Sequence, residues 1–182
     1  VAKAHKAHIM VAVLGEEEKL LERGKLFTKA MAVCCKQKYA TGVYTSGVVF
    51  EPRFYEGLAD MLKEDELPIF NWVWFGLYRS EGGLNGYTYG MDVFGKEEME
   101  VLNTDAEPEE LRDFLASLAS YVLACDVTLQ DGETIGFSAD DKHTITRSPG
   151  VSLPEEQMTL KIGYEPIKGD PKDDSCDHSD ND

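Results

Sequence analysis

One segment constrains the fold of this chain more than any other. From Leu111 to Cys125 the apolar residues Leu111, Phe114, Leu115, Leu118, Tyr121, Val122 and Cys125 recur every three or four positions without a break. That period belongs to an α-helix that buries one face. Thr104-Asp-Ala-Glu-Pro108 precedes it with capping oxygens and a first-turn proline. Such a helix needs an apolar surface to cover, and its neighbours have strand character. FNWVWFGLY at 70–78, YTYGMDVF at 87–94, the stretch 97–102 and MTLKIGY at 158–164 are rich in aromatic and β-branched residues. Ser80-Glu-Gly-Gly between the first two reads as a hairpin turn. Asp131-Gly132 divides 127–137 into two short strands.

The N-terminal third adds two further helices. HIMVAVL at 8–14 reads as a buried central strand, and 16–37 as an amphipathic helix on Leu20, Phe27, Met31 and Cys34, with Cys35 toward its flank. ATGVYTSGVVF at 40–50 reads as one strand with a bulge or a close backbone approach at Gly47. Pro52 then opens a short helix on Phe54, Leu58, Met61 and Leu62, with Glu51 and Arg53 as a structural ion pair beside it. The order does not repeat a βαβ unit. It predicts an α+β fold, a mixed and largely antiparallel sheet packed by three helices as a two-layer sandwich. Residues 1–164 are expected to form one domain. Residues 165–182, with seven acids against two lysines, are expected to be a disordered acidic tail.

Composition narrows the functional classes. With 18 Lys and Arg against 34 Asp and Glu the net charge is −16, which repels nucleic acid in the absence of a basic cluster. A 42% hydrophobic content is too high for a disordered chain, and no apolar run reaches the roughly 20 residues of a membrane span. The four cysteines lack CxxC spacing and read as free thiols; no cofactor, metal or disulfide is expected. The first residue is Val1 rather than an initiator methionine and no secretory signal follows it, so the chain reads as a fragment lacking an N-terminal segment.

His5-Lys-Ala-His-Ile-Met-Val, Gly42-Val-Tyr-Thr-Ser-Gly-Val-Val, Gly90-Met-Asp-Val-Phe-Gly-Lys-Glu-Glu-Met-Glu-Val and Asp131-Gly-Glu-Thr-Ile-Gly together resemble an uncharacterised bacterial family, the domain of unknown function 4261. The resemblance covers most of residues 5–164. It implies a bacterial cytoplasmic origin and a further segment before His5, and it brings no activity, cofactor or catalytic residue.

The richest local chemistry lies in 138–148, a polar loop holding Asp140, Asp141, His143, Arg147 and Ser148. Either aspartate could orient the imidazole as a general base, or Arg147 and Ser148 could grip an anion; the alternative is a solvated turn. Exposed as they are in that reading, His143→Ala and Arg147→Ala should barely alter stability. Trp72, Trp74, Tyr78, Tyr87 and Tyr89 line a cleft or face the helices, and core packing is preferred because Trp72 and Trp74 share a strand face. His5 and His8 have a metal-compatible helical spacing but sit on a strand, where the geometry fails. Ser46 lacks the G-x-S-x-G elbow, and the glycines near 82–90 form no phosphate loop. Two readings result: a non-catalytic domain that binds a basic protein partner, or an enzyme or small-molecule binder using the His143 loop beside the aromatic hairpin.

Overall fold

Four helices and eight strands follow from these patterns in a computed structural model that describes residues 5–136 and 142–164. Asp140, Asp141 and the expected tail 165–182 lie outside the described residues. The elements in chain order are α1 (Leu20–Cys35), β1 (Val43–Thr45), β2 (Val48–Phe50), α2 (Pro52–Ala59), α3 (Ile69–Trp72), β3 (Trp74–Ser80), β4 (Gly83–Tyr89), β5 (Met99–Thr104), α4 (Pro108–Ala124), β6 (Thr134–Ile135), β7 (His143–Pro149) and β8 (Met158–Ile162). Short 3₁₀ turns occur at Glu17–Lys19, Asp60–Lys63 and Asp92–Phe94. β1 and β2 form a hairpin of their own. The other six strands make one sheet in the order β3-β4-β5-β8-β7-β6, antiparallel throughout except for the parallel β5–β8 pair. The fold is therefore α+β with a mixed, largely antiparallel sheet.

α4 is the helix that the apolar stripe demanded. It begins at Pro108 with Glu109 and Glu110 in its first turn, where the helix dipole favours acids. It ends with Asp126 in the left-handed region (φ 51°) and a bond from the Val127 N–H to the Val122 carbonyl, which closes the C-terminus as a Schellman motif. Leu111, Phe114, Leu115, Leu118 and Val122 pack on Phe75, Leu84, Met99, Val101, Ile145, Leu160 and Ile162 of the sheet. Each such buried side chain stabilises the fold by about 1.5–3 kcal/mol. Ala116, Ala119 and Leu123 complete the buried face, whereas Tyr121 and Cys125 are exposed. α1 and α2 pack on one another around Cys35, Val43 and Tyr55. α1 reaches the main core where the Trp72 indole N–H donates to Thr28 Oγ1 at 2.7 Å.

Several local expectations are corrected. Residues 8–14 form no strand: Ile9, Met10 and Leu14 are 77%, 85% and 90% exposed, and neither sheet edge, β3 or β6, takes them up. An apolar run supplies strand propensity, but a strand requires a ladder partner. Residues 40–50 are a hairpin rather than one bulged strand, because Ser46 (φ 49°) and Gly47 (φ 75°) both take the positive φ of a type I′ turn. Trp72 belongs to α3, so it does not share a strand face with Trp74. Residues 127–130 form no strand. The buried thiol of α1 is Cys35, not Cys34, and Cys34, Cys35 and Cys125 are free. Glu51 caps α2 by accepting the Phe54 N–H at 2.9 Å, a helix-start role in place of the expected ion pair with Arg53.

Candidate functional site

Because successive strand residues face opposite sides, β3 sends Phe75 and Leu77 toward α4 and leaves Trp74, Gly76 and Tyr78 on the other face. β4 pairs Tyr89 with Trp74 and Tyr87 with Gly76 across the ladder, which sets four aromatic rings on that face. Trp74, Tyr78 and Tyr89 are 46%, 39% and 49% exposed, and Tyr87 is half-buried. Gly76 is what allows Tyr87 to lie flat, since a Cβ there would run into its ring. Trp74, Tyr87 and Tyr89 floor an open cleft of about 700 Å³, walled by Ser46, Gly47, Val48 and Val49 of the hairpin and by Leu153. Such a volume suits a ligand or an inserted peptide side chain.

Two glutamates on and beside β5 hold the surroundings of the cleft. Glu100, paired with Tyr87 across the ladder, is fully buried. Its Oε1 accepts the N–H groups of Val151, Ser152 and Leu153 at 3.1, 2.7 and 3.1 Å. Its Oε2 accepts from Thr159 Oγ1 at 3.1 Å and meets the Lys161 ammonium at 2.9 Å. Burial pushes the carboxyl up, but the Lys161 bond and the Ser152 and Val151 N–H groups outweigh it and hold it below the usual carboxylate range. Glu100 thus secures the turn that brings Leu153 to the cleft, and Tyr78 Oη lies 3.1 Å from Ser152 Oγ on the same turn. Glu98 is also buried. It accepts from Thr88 Oγ1 and from the Gly90 and Met91 N–H groups at 2.7, 2.7 and 2.9 Å, yet burial leaves its carboxyl raised. Sequence reasoning missed both, since Glu-Glu-Met-Glu-Val alternates like a strand with its acids toward water.

The residues singled out from sequence fall into three places. Trp74, Tyr87 and Tyr89 line the cleft together, while Trp72 is buried at 4% exposure in the core. His143 and Arg147 belong to strand β7, not to a loop, and with Ile145 they lie on the face toward α4, away from the aromatic cleft. The His143 ring, 5% exposed, lies edge-on to Phe114 at 4.7 Å and stacks on Tyr164 at 5.4 Å. Its Nδ1 donates to the Gly163 carbonyl at 2.8 Å. Arg147 forms a bidentate pair with Glu97 at 2.7–2.9 Å, which raises the guanidinium pKa further. The missed signal was alternation: in His-Thr-Ile-Thr-Arg-Ser the polar Thr144, Thr146 and Ser148 are one face of a strand. Ser46 forms the hairpin corner, and its Oγ donates to the Trp72 carbonyl at 3.2 Å.

Among the described residues no group of three His, Cys, Asp or Glu side chains is placed to share a metal ion, and no helix is long and apolar enough to cross a membrane. No curated protein and no solved structure matches the chain. The family model of the Domain of unknown function (DUF4261) matches residues 87–163, which run from Tyr87 in the cleft through Glu100, α4 and β7 to just past β8. That stretch, including the Gly90–Val101 and Asp131–Gly136 motifs read from the sequence, is thus similar to the DUF4261 family.

Proposed function

We propose that this domain is a non-catalytic binding module for a basic protein partner, and that the partner docks in the aromatic cleft on the face of the sheet opposite α4. The observation that carries the reading is the set of Trp74, Tyr87 and Tyr89, partly exposed around an open cleft of about 700 Å³ and carried on a strand pair. Tyrosine and tryptophan offer large, rigid contact area with few torsions to freeze, which is why they dominate interface energetics. The charge of −16 selects the sign of the partner, steering cationic surfaces and opposing nucleic acid. The competing enzyme reading required His143 beside the aromatic hairpin; the ring instead packs against Phe114 and Tyr164, which also touch each other at 4.3 Å, on the opposite side of the sheet. A cytoplasmic, bacterial setting belongs to the same proposal.

The test is binding of an array of basic peptides to the chain and to its Trp74→Ala/Tyr89→Ala variant, both exposed positions. Cleft-dependent binding should fall by about tenfold or more in the variant, and should weaken as salt rises past a Debye length of about 8 Å at 0.15 M. Equal binding by the variant would refute the assignment of the cleft.

A further inference from the structure

Beside the cleft lies a niche of about 10 Å³, lined by Ser46, Val48, Phe70, Asn71, Trp74 and their neighbours. Ser46, Val48 and Trp74 line both spaces. Asn71 is 1% exposed, and its amide orientation is set by the bond from Nδ2 to the Tyr55 carbonyl at 3.2 Å. Its Oδ1 is buried with no hydrogen-bond partner among the described residues. Native structures seldom leave a buried acceptor unpaired, because the group then loses its hydration with no hydrogen bond to replace it. Ser46, which also lines the niche, commits its Oγ proton to the Trp72 carbonyl, which leaves the oxygen's lone pairs as a second acceptor.

From this we infer that the cleft recognises a lysine side chain of the partner, with the ammonium seated in the niche against Asn71 Oδ1 and Ser46 Oγ. The inference rests on the binding-module reading and specifies its partner chemistry. Four features select the group. The niche has room for one water-sized head, which an ammonium matches and a planar guanidinium exceeds. The two polar side-chain atoms discussed are acceptors, complementing a group with three donors and no acceptor. Phe70 and Trp74 supply aromatic walls that attract a cation. The chain's net charge of −16 favours cation approach.

Hexalysine, hexa-arginine and hexalysine acetylated on every side chain, titrated calorimetrically into the full chain, separate the possibilities. Hexalysine should bind about tenfold more tightly than hexa-arginine despite equal charge, and acetylation should abolish binding. Asn71→Ala should reduce hexalysine to the hexa-arginine level. Should Asn71→Ala fail to fold, Val48→Phe plugs the niche from the hairpin without touching Asn71, and the same loss of selectivity is expected. Equal affinity for both peptides, lost together in Trp74→Ala, would overturn the ammonium inference and leave the cleft as a binding surface; a niche filled by water alone gives this result. Lysine selectivity that survives Asn71→Ala and Val48→Phe also overturns the inference. Failure of both charged peptides to bind in a Trp74-dependent manner overturns the inference and the binding-module reading together.

Discussion

Replacing Glu100 with alanine should be among the most damaging single changes available in this domain. The carboxylate is fully buried, receives three backbone N–H groups from the 151–153 turn and one hydroxyl, and neutralises an ammonium whose side chain is 15% exposed. Its removal strands the Lys161 charge against the Ser148 and Pro149 carbonyls and leaves the turn without its acceptor. Breaking one partner of a buried pair costs about 3–5 kcal/mol. That is a large fraction of the roughly 5–15 kcal/mol by which a domain is stable. Glu100→Gln keeps the shape and one acceptor oxygen, and should cost less, about 1–3 kcal/mol. The pH dependence has a definite sign. The folded carboxyl lies below its ordinary 4.5, so its contribution is present above pH 4.5 and lost as pH falls through the lower folded value. Urea denaturation of the wild type and both variants between pH 3 and pH 7 measures this. A loss under about 1 kcal/mol for Glu100→Ala at pH 7, or a wild-type advantage over Glu100→Gln that does not shrink in acid, would refute the reasoning.

Three further outcomes follow from the same geometry. Glu98 behaves oppositely to Glu100: its folded carboxyl is raised above 4.5, so its contribution is full below that value and lost as pH rises, and Glu98→Gln should gain on the wild type in urea melts as pH climbs from 4.5 toward neutrality. Gly76→Ala should force the Tyr87 ring off the strand and weaken peptide binding in the cleft while near-ultraviolet circular dichroism reports the displaced tyrosine. His143→Ala should destabilise by about 2–4 kcal/mol in thermal or urea unfolding rather than act as a silent surface change, because it empties a site against Phe114 and Tyr164 and removes the bond to Gly163; a near-zero cost would contradict the burial.

How much of this was legible in the sequence depended on whether the signal was local. The α4 stripe, the β3–β4 hairpin turn and strands β5 and β8 were readable because period and turn chemistry lie within a few residues of each other. Residues 8–14 misled because propensity cannot report whether a neighbouring strand exists. Trp72 and Trp74 misled because a one-turn helix ends between them, moving one ring into the core and leaving the other in the cleft. The cleft was half visible: Trp74 and Tyr87 were singled out, but the hairpin wall at Ser46–Val49 and the contribution of Leu153 come from tertiary packing. Nothing local marks Glu98 and Glu100 as buried, since the turn that covers Glu100 lies 51 to 53 positions away in sequence.

The most direct test of the cleft as the binding surface is a titration of the isotope-labelled chain with hexalysine, followed through its amide and indole N–H resonances. The two tryptophans give two indole signals, one from Trp74 in the cleft and one from Trp72, whose indole is bonded to Thr28. Binding in the cleft should shift the Trp74 indole together with the amides of residues 46–49, Gly76, Tyr87, Tyr89 and Leu153. Shifts spread evenly over the acidic surface, or centred on His143 and Arg147 with the Trp74 indole unmoved, would contradict it.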